Sequence, residues 1–283
     1  MFNQNDIIKE LENRGYTATV QKVIKNGDVE LDALTIRSQS NITPSIYLQG
    51  IYERCESLDE AVDTIIEIYE SNVNPPFDID VNRITDKQFI LDTVRIGIQK
   101  ASAENLVKRP TEFDGIEQYL YYGETATSSR SEGWSIRIQP ELLKNAGVDE
   151  DELWKVAEER TFSNIKLRTM FEVMSEMIGI PSDEMYLDAL SDAQMYIISN
   201  DSGVKGAAAI LNHDFLLNFA REHNYDKICI LCSSIHECII VPVSDMISIE
   251  DLDEMVKEVN ATQVRPEEVL IDHALLVDFT GEL

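Results

Sequence analysis

Ile228-Cys-Ile-Leu-Cys-Ser-Ser-Ile-His-Glu-Cys-Ile-Ile-Val-Pro-Val243 sets two apolar, β-favouring runs on either side of Ser233, Ser234, His236 and Glu237. Short aliphatic runs rich in β-branched residues, parted by a polar cluster, read as two buried strands joined by a polar turn. The turn also brings one of only four histidines beside a carboxylate and two hydroxyls. It lies at the end of a sheet, where loops commonly carry chemistry.

Working outward from this hairpin, Ser248 with Asp251 three residues on opens a helix to residue 259, and a last strand covers 274–279. On the other side a strand at 195–199 turns at Asn200-Asp201-Ser202-Gly203 into a second strand at 207–211, and Asn212 caps a helix to residue 222. Helices resting on an antiparallel layer make this an α+β arrangement rather than a doubly wound one. Further upstream the pattern predicts strands at 89–98, 116–122 and 134–138 and a loop at 123–133. Helices are expected at 141–145 and 150–160, split at Gly147, and at 166–178, ended by Gly179 and Pro181. The N-terminal part reads as a small α-βββ-α unit. It has a helix at 6–13, strands at 17–23, 29–36 and 45–52 with an Asn26-Gly27 hairpin signal, and a helix from Ser57 through 71 with Glu60 as its capping-box partner. Asn74-Pro75-Pro76 forces extended backbone and is the best linker candidate. The expected organisation is therefore a unit at 1–74 and a larger α+β domain at 77–283, itself open to subdivision near 180–190.

The chain has 283 residues and a net charge of −28 from 24 basic and 52 acidic side chains. Such a surface repels phosphate backbones, because nucleic-acid binding relies on clustered Lys and Arg. Residues 79–140, with 8 basic and 9 acidic groups, are nearly neutral, and there Arg95, Lys100, Lys108 and Arg109 could form a modest basic patch. Elsewhere the acidic groups are expected to be a solvated, solubilising surface. No basic flank and apolar core marks the first residues, and no uncharged apolar run reaches the ~18 residues needed to span a bilayer. A soluble cytoplasmic protein without membrane association is expected. Four cysteines, three of them in the apolar runs above, suggest reduced, buried thiols.

Several chemistries can be weighed against these patterns. Gly203-Val204-Lys205-Gly206 has the wrong order of Gly and Lys for a phosphate loop, and a hairpin turn is the better reading. Cys229, Cys232, His236 and Cys238 have the residue types of a zinc site, but strand residues three apart face opposite ways, so no metal is assigned. Thioredoxin-like chemistry would need a helix opening at the C-x-x-C, and none is expected. Ser234, His236 and Glu237 contain a nucleophile, a base and an orienting carboxylate. Neighbours on one tight turn rarely converge, and no nucleophile elbow is present, so hydroxyls bonding main-chain amides beside a partly exposed His236 are expected instead. No catalytic residue and no cofactor is assigned. His213, His223 and His273 read as surface or capping histidines, and acidic runs such as Asp149-Glu-Asp-Glu152 as helix caps.

The segments Asn41-Ile-Thr-Pro-Ser-Ile-Tyr-Leu48, Gly206-Ala-Ala-Ala-Ile-Leu211, Ser233-Ser-Ile-His-Glu237 and Glu258-Val-Asn-Ala-Thr-Gln-Val264 resemble a bacterial domain-of-unknown-function family from gut Gram-positive anaerobes. The likeness spans nearly the whole chain. The order of elements is also similar to a wider bacterial family that has Pro-Ser-Arg-Asp where this chain has Ser234-Ile-His-Glu237. The resemblance implies an intracellular bacterial protein and transfers no catalytic residues. The leading expectation is a non-catalytic binding or adaptor protein with a protein partner. The alternatives are a hydrolase using Ser234, His236 and Glu237, or an acidic nucleic-acid mimic that blocks a DNA-binding partner.

Overall fold

Asn3 accepts the main-chain N–H groups of Asn5 and Asp6 while Asp6 accepts the N–H of Asn3, a capping box that starts α1 (Gln4–Asn13). The computed structural model describes residues 2–38, 43–72, 81–124, 134–179, 195–243 and 247–282, and divides them into two units, Met1–Ile84 and Thr85–Leu283. The expected linker at Asn74-Pro75-Pro76, most of the 123–133 loop and the 180–190 segment lie outside the described residues.

In the first unit β1 (Ala18–Lys25) and β2 (Val29–Ile36) pair antiparallel, with Ala18 opposite Ile36 and Lys25 opposite Val29. The turn between them runs Asn26–Asp28 and places Asp28 at φ 58, a left-handed conformation that Asp tolerates better than most residues. β3 (Ile46–Tyr47) extends the sheet beside β2. The strand expected at 45–52 stops there and α2 (Leu48–Arg54) follows. Leu48 and Ile51, three residues apart, are both buried, which one helical face allows and one strand face does not. Ser57 Oγ accepts the Glu60 N–H to open α3 (Leu58–Asn72), while the Glu60 carboxylate takes the N–H of Glu56. Ala61, Val62 and Ile65 of α3 close a core with Ile7, Leu11, Leu34 and Ile36.

The second unit holds two antiparallel sheets. In the smaller, β6 (Ile116–Glu124) pairs with β4 (Arg95–Lys100) along one side and with β5 (Lys108–Pro110) and β7 (Trp134–Arg137) along the other. The strand expected at 89–98 begins only at Arg95, because Asp86 Oδ1 accepts the Phe89 N–H and starts the short helix α4 (Lys87–Thr93). After β7 come α5 (Pro140–Ala146), closed by left-handed Gly147, and α6 (Glu150–Phe162), capped by Asp149.

The larger sheet has the order β12-β10-β11-β9-β8, built from β8 (Ile165–Thr169), β9 (Tyr196–Asn200), β10 (Lys227–Leu231), β11 (Cys238–Pro242) and β12 (Ala274–Asp278). The helix expected over 166–178 is divided. Ile165, Leu167 and Thr169 alternate with Lys166 and Arg168 and pair with β9, and Thr169 with Glu172 then forms a capping box for α7 (Met170–Ile178). Cys229, Leu231 and Val241 pack against Leu252 and Val256 of α9 (Ile249–Thr262), which Ser248 and Asp251 cap. α8 (His213–His223) is capped by Asn212 and ends at left-handed Asn224.

The second strand expected at 207–211 is instead a 3-10 helix, Gly206–Leu211. It packs against β9 of one sheet and β4 of the other, with Gly206 through Ile210 all buried. A run of small residues enclosed on every side carries no amphipathic period, so its helical form is invisible to pattern reading. Gly206 is required there: a Cβ would stand 2.2 Å from Ser199 Oγ and 2.8 Å from the His236 carbonyl oxygen.

Candidate functional site

The polar turn joins β10 to β11 as the two apolar runs in 228–243 predict, and its bonds fix what each side chain can do. The main chain of the turn is tied to the segment before β12, with Ile235 N–H donating to Glu268 O and Leu270 N–H to Ser233 O. Ser234 Oγ accepts the main-chain N–H of His236 at 3.1 Å. The imidazole is held on both edges: Nδ1 accepts the Lys205 main-chain N–H at 3.2 Å, and Nε2 lies 3.5 Å from a Glu268 oxygen. With Nδ1 serving as an acceptor, the neutral ring carries its hydrogen on Nε2, toward Glu268. The carboxylate beside this histidine is thus Glu268, whose distance in sequence hid it, while Glu237 is exposed. Ser234 and His236 meet through main chain; no bond joins Ser234 Oγ to the imidazole among the described residues.

Cys232 and Cys238 face each other across the start of the hairpin with their sulfurs 3.1 Å apart, and burial pushes the Cys238 thiol well above its ordinary range. Cys229 packs in the α9 cluster. No group of three or more His, Cys, Asp or Glu side chains is arranged to hold a metal ion among the described residues.

The turn braces residues that line a cavity. Ser199 Oγ donates to the His236 carbonyl at 2.8 Å, and Ser199, Lys205 and Gly206 all line a cavity of about 400 Å³ in the second unit. Between β9 and the 3-10 helix, loop 200–205 is folded on itself. Asn200 Oδ1 accepts the N–H and hydroxyl of Ser202, and Asn200 Nδ2 donates to Val204 O. Lys205, left-handed at φ 54, delivers its ammonium to Ser135 Oγ at 2.6 Å and over the Tyr121 ring at 4.3 Å. Burial raises the Tyr121 hydroxyl to about 12, so it stays protonated.

Two arginines also line the cavity. Arg95, at the start of β4, donates to Thr93 O at 3.0 Å, and Arg160, in the last turn of α6, donates to Leu91 O at 3.2 Å. Both thereby bond carbonyls in the last turn of α4, where a helix dipole favours positive charge. Arg160 Nε is buried without an acceptor. Burial holds the Arg95 guanidinium below its ordinary value, and the neighbouring Arg160 charge works in the same direction. No ion pair joins either guanidinium to a carboxylate among the described residues; Asp201, the one acid in the lining, pairs with Lys166 at 3.1 Å. The lining hydroxyls and amides are engaged internally: Thr161 Oγ1 accepts the Ile96 N–H and Asn164 Nδ2 donates to Arg160 O.

Sequence reading marked Arg95 as part of a basic patch and noticed Lys205 in a glycine-flanked loop, but gave Arg160 no role. Their convergence needs the 3-10 helix that it read as a strand. Among the described residues no helix is long and apolar enough to cross a membrane. Neither a curated protein nor a solved structure matches the chain. A family model does match it over residues 3–276, and the chain belongs to that family, a family of unknown function, DUF5688.

Proposed function

We propose that this protein binds a small molecule in the cavity of its second unit and does not transform it. The observation that carries this reading is the placing of the polar turn: its histidine and main chain brace Ser199 and Lys205 in the cavity wall, rather than presenting a base to a nucleophile. A general base needs a ring nitrogen within reach of the proton it takes. In His236 one nitrogen accepts a main-chain N–H and the other faces a carboxylate. A cavity of about 400 Å³ is of the size that holds metabolite-scale ligands. The binding role expected from sequence thereby takes the form of ligand recognition, with a partner protein responding to the loaded state as its adaptor form.

Thermal melting of the full chain against a panel of charged and neutral metabolites tests this. A saturable upward shift that disappears in Ser202→Phe, which fills the cavity from the loop side, is the expected result. Failure of every panel member to shift the wild-type protein, or shifts unchanged in Ser202→Phe, would remove the reading.

A further inference from the structure

We propose that the cavity is an oxyanion site whose ligand presents a phosphoryl group to Arg95 and Arg160, with the Lys205 ammonium close by. This rests on the cavity being the ligand site and names what the ligand must be. Most of the polar capacity left over in the lining is cationic. Hydroxyls and amides of Thr161, Asn164, Asn200 and Ser202 are bonded within the protein, whereas two guanidiniums have more N–H groups than their carbonyl partners use. A ligand for such a wall brings several acceptors and negative charge.

Charge selects among anions. Two like-charged guanidiniums line one cavity, and the one acid in the lining, Asp201, is already paired with Lys166. One carboxylate carries a single charge and two oxygens, which a single guanidinium fork satisfies. A phosphate monoester carries between one and two negative charges at neutral pH and three terminal oxygens, enough for two forks. The site is built into a chain of net charge −28, so these cations are not part of a general basic surface.

Calorimetric titration of the full chain with inorganic phosphate, glycerol phosphate, succinate and glycerol tests the assignment. Phosphate and glycerol phosphate are expected to bind, glycerol not, and succinate more weakly. Arg95→Gln and Arg160→Gln should each weaken phosphate by at least about tenfold, the value of a charge-assisted pair. Arg95→Lys should recover part of it. Unliganded Arg95→Gln loses its bond to the end of α4 and is expected to melt lower in either case, so affinity decides: if the guanidiniums only cap α4, melting falls and phosphate affinity does not change. Equal phosphate binding by wild type and both Gln variants overturns the proposal. Succinate binding without phosphate binding overturns it too, but leaves a ligand-binding role standing. Absence of binding by these ligands and by the wider metabolite panel defeats both.

Discussion

Gly206 shows how one hydrogen atom can decide a site. The side chain it lacks would occupy the space through which Ser199 Oγ reaches the His236 carbonyl, so Gly206→Ala must either move β9 or break that bond. Overpacking of this kind costs about 1–3 kcal/mol. Urea denaturation should show a lower midpoint at unchanged slope, and phosphate affinity should fall with it because Lys205 is the adjoining residue. Sequence reading placed Gly206 in a hairpin turn, since a glycine beside Lys205 says nothing by itself about what crowds its Cα. His236 was legible as a polar residue in an ordered turn. Its partners, Lys205 and Glu268, were not, because each is about thirty residues away and contact across such a distance leaves no local pattern.

Elements were legible where a period or a cap announced them. The paired apolar runs in 228–243, the Ser248 box, Asn212 and the glycines at 147 and 179 all mark boundaries that the structure keeps. The misread ones fail for separate reasons. At 89–98 the Asp86 cap was overlooked, at 48–52 a helical pair of apolar residues was read as the end of a strand, and at 206–211 burial on all sides erased any period. Residues 166–178 are the instructive case, because Thr169 and Glu172 spell a capping box inside a stretch read as one helix. That box is what separates β8 from α7. Thr169→Ala removes an acceptor from the Glu172 N–H and a hydroxyl from its carboxylate, and should cost about 1 kcal/mol in denaturant unfolding. Thr169→Ser should restore most of it, whereas a residue of a continuous helix would show no such preference.

On the scale of the whole molecule, a strongly acidic chain keeps an inward-facing cationic wall in one of its two units. The contrast has a consequence for rates rather than equilibria. At low ionic strength an approaching anion meets the summed repulsion of the acidic surface long before it meets Arg95 and Arg160. Salt shortens the reach of that repulsion to about 10 Å at 0.1 M, while contacts inside the cavity are screened much less. Stopped-flow association of glycerol phosphate should therefore accelerate as salt is raised from very low values, the reverse of electrostatic steering, with dissociation changing far less. Longer polyanions, unable to leave the acidic exterior behind as they enter, should gain little from the same treatment. The protein would then select its ligands at the gate by length, before any arginine has judged their chemistry.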